Sequence, residues 1–233
     1  MIVLGIDTSD SANVIGLVDD GKVLADYTFE VKTDSLKKII TNIDAVIQKV
    51  GLTPEGIEGI GVGLGPGSWT GIRIGVTVGK IIALSTNKPV YGVSTLEALA
   101  YSARGKDKLI CAIVGAGTGD IVYAALYRTE DDSVKRDGDY YVGSVKGLAG
   151  VIEESVVLVG HGASLYGETI DKEMVSQNFD ITVVDAIPNG AIIAEIAAKH
   201  LEYGEKNDVL GLTPLYLKES TAKTITERVS DHR

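Results

Sequence analysis

The 233 residues are 45% hydrophobic and 23% charged, which supplies a genuine core for one large domain or two lobes and excludes a disordered chain. With 22 Lys and Arg against 32 Asp and Glu the formal net charge is −10, so the chain is not expected to grip nucleic acid by itself, because phosphate binding rests on clustered cations. One cysteine, Cys111, allows no intramolecular disulfide, no apolar run approaches the roughly 20 residues of a membrane span, and the start MIVLGIDTSD lacks a secretory signal; a soluble, cytoplasmic protein with no membrane partner is expected.

The opening reads as three strands, Ile2 to Asp7, Asn13 to Val18 and Lys22 to Phe29, with Asp19-Asp20-Gly21 supplying hairpin turn chemistry. From Asp34 to Val50 the residues Leu36, Ile39, Ile40, Ile43, Ile47 and Val50 form one stripe of an amphipathic helix, capped by Thr33 or Asp34 and ended by Gly51. Ile57 to Leu64 is a strand rich in Ile, Val and Gly. The loop GPGSWTG follows it, then a helix from about Thr70 to Ser85, a short strand at Pro89 to Tyr91 and a helix from Ser94 to Arg104.

The cluster Arg-Gly-Lys-Asp-Lys within 103–108 marks a boundary, after which strand pairing restarts. Leu109 to Val114 and Ile121 to Tyr127 flank GAGTGD much as the first two strands flank DTSDSA, so the second half echoes the first. Later elements are a strand at Val156 to Val159, a helix at Gly162 to Asp171, a strand at Ile181 to Val184, a helix at Asn189 to Tyr203 and an extended Leu212 to Leu217. The pattern predicts an α/β chain with the two-lobed actin-like ATPase (ASKHA, ribonuclease H-like) fold and mixed sheets. Its expected parts are a first lobe at 1–103, a second at 104–217, and a tail at 218–233 that frays or docks on a partner.

Three places could carry chemistry. Asp7-Thr8-Ser9 ends a strand with a carboxylate and two hydroxyls, a turn that either faces a phosphate or magnesium ion or merely stabilises a hairpin. Four glycines, Gly61, Gly63, Gly65 and Gly67, precede Ser68, which with Thr70 is a candidate cap for the following helix; this loop invites close approach of a ligand or of another backbone, yet no Walker Lys follows. In that helix Gly71, Gly75 and Gly79 leave one face without side chains at a cost of about 1 kcal/mol each against Ala, so the face serves either an interface or packing on the protein's own sheet. Trp69 is a packing anchor, a stacking platform or an interface hot spot. Cys111 sits in the apolar run 109–114 and reads as core, and the three histidines His161, His200 and His232 form no HxxxH or HExxH pair, so no metal site is expected. Gly117 and Thr118, with the first turn and Gly65, Gly67 and Ser68, are the candidate phosphate-binding positions.

The segments MIVLGIDTSDSANVIGL, GVGLGPGSWTGIRIGVTVGKIIAL, PVYGVSTLEALA and PLYLKES, in this order, closely resemble the TsaB (YeaZ) family. The resemblance implies an actin-like fold and a role in placing threonylcarbamoyladenosine next to the anticodon of tRNA. It implies a non-catalytic subunit that docks on a TsaD-like threonylcarbamoyltransferase or on a second copy of itself, with a TsaE-like ATPase as a further partner and tRNA met only through the complex. The HxxxH metal motif of the transferase is missing here. The matching interface helices are 34–50 and 70–85, which makes Ile39, Ile43, Ile47, Gly71, Gly75 and Gly79 the candidate interface residues; ATP or ADP with Mg is a candidate ligand at a degenerate site or at the partner interface.

Two departures stand out. Asp34-Ser35-Leu36 replaces the family's usual His-Ser-Glu, and 115–120, GAGTGD, replaces Asp-Ala-Arg, removing an acid and a base from that loop. The competing expectation is an independent ATP-dependent phosphotransferase of the same fold; a metallopeptidase fails on the absent histidine pair.

Overall fold

The structure, a computed structural model, describes residues 1–10, 12–30, 35–105, 108–117, 119–174 and 179–217, with backbone alone at 35–37. Strands β1 (Ile2–Asp7), β2 (Ala12–Asp19) and β3 (Lys22–Glu30) run antiparallel in sequence. The β2–β3 turn places Asp20 and Gly21 at φ 46° and 78°, the left-handed pair that a tight hairpin between twisted strands requires. After helix α1 (Ser35–Lys49), closed by Gly51 at φ 75°, and a single 3-10 turn at Pro54–Gly56, strand β4 (Gly59–Gly63) pairs parallel to β1. Helix α2 (Trp69–Thr86) then leads to β5 (Val90–Val93), parallel to β4, and to helix α3 (Thr95–Ser102). The first sheet has the order β3-β2-β1-β4-β5. The sequence's candidate caps at 33 and 34 lie outside the described residues; α2 is capped by Ser68, whose hydroxyl accepts from Gly71 N–H at 3.2 Å.

The second sheet repeats this plan. Strands β6 (Leu109–Gly115), β7 (Ile121–Glu130) and β8 (Ser133–Ser144) form an antiparallel meander. Helix α4 (Val145–Ala149), β9 (Val156–Val159), α5 (His161–Met174) and β10 (Ile181–Val184) follow, and β9 and β10 add in parallel on the other side of β6. The order is β10-β9-β6-β7-β8, so each sheet is a three-strand meander extended by two parallel strands. Sequence reasoning missed β8 and α4. This edge strand carries Lys135, Arg136, Asp137 and Asp139 and bends at Gly138 with φ 82°, so it shows no alternation of apolar and polar residues.

The last helix, α6 (Gly190–Glu202), returns to the first sheet and packs on β1, β2, β4 and β5. The residues after it follow: Asn207 N–H donates to the Val90 carbonyl at 2.9 Å and Leu215 N–H to the Leu64 carbonyl at 2.8 Å. The expected second lobe at 104–217 is therefore corrected. The chain builds the second sheet only up to Val184 and then covers the first, while the tail expected at 218–233 lies outside the described residues. In exchange α3, from the first half, packs on β6, β7 and β8. One continuous apolar cluster through Val3, Val93, Leu96, Leu99, Ile110, Val157 and Ile193 joins the two sheets. Beside it Tyr101 donates to Glu195 at 2.6 Å and receives Lys199 Nζ at 2.8 Å, tying α3 to α6. Among the described residues no helix is long and apolar enough to cross a membrane.

The close seat of α6 depends on glycine in the strands beneath it. A Cβ at Gly16 would overlap the backbone of Gly190 and Ala191, and one at Gly5 would overlap Gly190 and Ala194. No side-chain motion relieves a collision with backbone, so Gly16→Ala is expected to cost at least about 3 kcal/mol in urea unfolding. A variant within 1 kcal/mol of the parent would contradict this packing.

Candidate functional site

The turn after β1 is a buried hydrogen-bond knot. Asp7 is 1% exposed; its Oδ1 accepts from Ser9 N–H at 2.6 Å and its Oδ2 from Thr95 Oγ1 at 2.8 Å, while the Ser9 and Thr95 hydroxyls lie 3.0 Å apart. Thr8, 2% exposed, donates its hydroxyl to the Gly71 carbonyl at 2.6 Å, and the Ser9 carbonyl accepts from Ser68 N–H at 2.6 Å. Gly63 on β4 abuts the Asp7 carboxylate so closely that a Cβ there would overlap it. Burial, opposed by the Ser9 and Thr95 hydrogen bonds, pushes the Asp7 carboxyl above the ordinary carboxylate range. Of the two readings of this turn, the one in which Asp7 and Thr8 face a phosphate or magnesium is corrected in favour of the structural one: both side chains turn inward and join β1 to the first turns of α2 and α3.

The glycine stripe of α2 also faces inward. A Cβ at Gly71 would overlap the Thr8 carbonyl, at Gly75 it would stand 2.5 Å from Thr8 Oγ1, and at Gly79 it would overlap the Val62 side chain. Likewise Ile39, Ile43 and Ile47 are 0–4% exposed and belong to the core beneath α1 and α2. The six residues expected at an interface are therefore spent on the protein's own packing. The faces left outward are different: Ile40 on α1, and on α2 Trp69, Arg73, Ile81 and Leu84, a row at helical spacing. Trp69 stacks on Tyr216 with ring centroids 4.4 Å apart. The Arg73 guanidinium lies 4.4 Å over the Trp69 ring, and its Nε donates to the Tyr216 hydroxyl at 3.0 Å. Leu210 sits beside the row, because Lys80 donates to its carbonyl at 2.7 Å. Sequence reasoning singled out Trp69 alone of this group, since Tyr216 reaches it across 147 positions.

Between the sheets lies a cleft of about 760 Å³. Ser9, Gly67, Ser68 and Gly117 of the expected phosphate-binding set line it; Asp7, Thr8 and Gly65 do not, and Thr118 lies outside the described residues. Gly65 instead turns at φ 87° against Ile72. Trp69, Tyr123, His161 and Tyr166 give the lining an aromatic character, and Tyr166 donates its hydroxyl to the Gly119 carbonyl at 3.0 Å. Among the described residues that line it there is no Lys or Arg, and Asp10 is their one carboxylate. These walls offer backbone N–H groups, aromatic rings and the Asp10 carboxylate, with the strand-end carboxylate of Asp7 sealed away. Among the described residues no three His, Cys, Asp or Glu are grouped to hold a metal ion, and Cys111 is fully buried with its thiol pushed up to about 12 by desolvation.

The buried carboxyl gives a pH test. In the unfolded chain Asp7 titrates near the ordinary carboxylate value, whereas the folded chain holds the proton to higher pH. Between those two values the native state binds the extra proton, so the Asp7 contribution to stability falls as pH rises through that window. Asp7→Asn keeps an acceptor for Ser9 N–H and a donor for Thr95 and has no such window. It is expected to be at least as stable as the parent near neutral pH, with the advantage shrinking toward about pH 4, read as urea midpoints. A parent whose stability relative to the Asn variant rises with pH would contradict the inward, desolvated carboxyl.

A family model described as TsaD, tRNA N6-adenosine threonylcarbamoyltransferase, matches residues 30–225. The chain is 31% identical over 230 residues to the tRNA threonylcarbamoyladenosine biosynthesis protein TsaB of Bacillus subtilis, covering 97% of this chain and 98% of that one. Among solved structures, YeaZ from Pseudomonas aeruginosa superposes with a TM-score of 0.79 at 21% identity over 93% of this chain and 99% of that one. The ROK hexokinase of Thermus thermophilus superposes with a TM-score of 0.53 at 13% identity over 88% and 100%. The two-sheet architecture is thus the actin-like ATPase fold expected from the sequence, and the chain belongs to the TsaB (YeaZ) family of tRNA threonylcarbamoyladenosine biosynthesis proteins, which falls under the same family model as the threonylcarbamoyltransferases.

Proposed function

We propose that this protein is a non-catalytic subunit of the assembly that forms threonylcarbamoyladenosine in tRNA, and that it docks on a TsaD-like threonylcarbamoyltransferase through the outward faces of α1 and α2. The observation that carries this reading is the exposed row on α2. Trp69 is 43% exposed and Ile81 and Leu84 are 55% exposed, with Arg73 and Tyr216 stacked at one end. Exposed Trp, Tyr and Arg clustered with aliphatic neighbours is the composition of a binding hot spot, and it costs solubility unless a partner covers it. Ile40, 52% exposed, extends the apolar surface onto α1. A partner of related fold supports the reading further, since this chain and the transferases match one family model and related chains pair readily through equivalent surfaces.

That no Lys or Arg is among the described residues lining the cleft supports a subunit without phosphoryl chemistry of its own over the alternative of an independent ATP-dependent phosphotransferase. With a net charge of −10, tRNA is met through the complex, a TsaE-like ATPase joins the assembled pair, and any ATP or ADP with Mg binds at the partner interface. Alone, the chain pairs with itself through the same face, and the assembly works in the cytoplasm. Mixing purified chain and transferase is expected to give co-elution and to raise tRNA modification, with no magnesium-ATP hydrolysis by the chain alone. Ile81→Asp with Leu84→Asp is expected to weaken the complex by at least about tenfold while leaving thermal stability unchanged. Wild-type association by that double variant, or ATP turnover by the isolated chain, would overturn the reading.

A further inference from the structure

We propose that Thr8 is the positioning residue of the docking helix. Its hydroxyl sets the depth and direction of the first turn of α2, and through it the pose of Trp69 and Arg73 toward the partner; this rests on the docking role of α2 proposed above. Two bonds hold that turn from below, Thr8 Oγ1 to the Gly71 carbonyl at 2.6 Å and Ser68 N–H to the Ser9 carbonyl at 2.6 Å, and Trp69 stands between the two anchored residues. Gly71 and Gly75 have no side chains, so α2 descends until its backbone meets Thr8 itself. The strand end cannot yield, because Asp7 fixes it through Ser9 N–H and Thr95 Oγ1. Thr8 is 2% exposed, out of reach of any partner, so its influence passes only through the helix.

A methyl group in place of the hydroxyl has to stand about 3.3 Å or more from a carbonyl oxygen, so Thr8→Val displaces the first turn by roughly 0.7 Å. Interfaces tolerate misplacement of about 0.5 Å in an anchor residue, and Trp69 and Arg73 lie on the face opposite Gly71 and Gly75, on the same rigid turns. The test measures association of the full chain with purified TsaD-like threonylcarbamoyltransferase, beside hydrogen exchange of residues 69–75. Thr8→Val is expected to weaken binding about tenfold and to speed exchange over 69–75. Thr8→Ser, which restores the hydroxyl, is expected to bind within about twofold of the parent. Ile81→Asp is the control for the face itself. If Ile81→Asp abolishes binding while Thr8→Val binds as the parent does, the docking face stands and the positioning role is lost. If Ile81→Asp has no effect, the docking face is lost, and unchanged exchange over 69–75 in Thr8→Val removes the positioning role as well. Should Thr8→Val not fold, Thr8→Ala, which removes the hydroxyl and the γ-methyl and so loses the bond to the Gly71 carbonyl, takes its place; it is expected to speed exchange over 69–75 and weaken binding relative to Thr8→Ser, and binding equal to that of Thr8→Ser would remove the positioning role.

Discussion

Helix backbone in direct contact with strand and turn is the constraint on which the first sheet is built. Glycine occurs on both sides of that contact: in the strands at Gly5, Gly16 and Gly61 beneath α6, and in the helix at Gly71, Gly75 and Gly79 above Thr8 and Val62. Each helical glycine costs about 1 kcal/mol of intrinsic propensity against Ala, and close packing of α2 on the sheet offsets it. The glycine stripe of α2 carries no side chain where it meets Thr8 and Val62; Ile72, Val76 and Val78 fill the core beside that stripe, and Trp69, Arg73, Ile81 and Leu84 are directed outward. The same economy on the other face lets α6, rich in alanine, lie between the two sheets and share one apolar cluster with both.

This packing also determines the chemistry. A carboxylate at the end of the first strand, beside two hydroxyls, has the residue types of a phosphate or metal turn. Here Gly63 closes over it, Thr95 and Ser9 take its oxygens, and no Lys or Arg is among the described residues that line the cleft nearby. The carboxylate of Asp7 and the hydroxyl of Thr8, which have the hydrogen-bonding capacity of a ligand site, are spent within the protein. A cleft lined by Trp69, Tyr123 and Tyr166 and a helix face bounded by Trp69 and Tyr216 share one residue at their common edge.

Much of the architecture was legible in the residues. Asp19-Asp20-Gly21 gave away the first hairpin, and the flanking of GAGTGD by two apolar strands announced the repeat that the two sheets display. β8 escaped because consecutive residues Lys135 to Asp139 are exposed on both faces of this edge strand and leave no apolar alternation, and the return of α6 to the first sheet escaped because nothing local tells a helix which sheet it will cover. At the site the periodicities left the direction of each face open. Glycines at i, i+4 and i+8, and isoleucines at 39, 43 and 47, define a face of a helix without saying whether core or partner meets it. Asp7 failed for a related reason: the groups that seal it, Gly63 and Thr95, lie 56 and 88 positions away.

The central claim, that the surface left over by inward glycine packing is the working surface of the protein, is tested most directly by a hydrogen-exchange footprint of the complex with the transferase. The account predicts that side-chain-bearing turns of α2 between residues 69 and 84 become protected on mixing, while the lining of the cleft at 115–117 and 161–166 does not change on adding magnesium-ATP to the chain alone. A complex that forms with residues 69–84 exchanging at their free rate would contradict it.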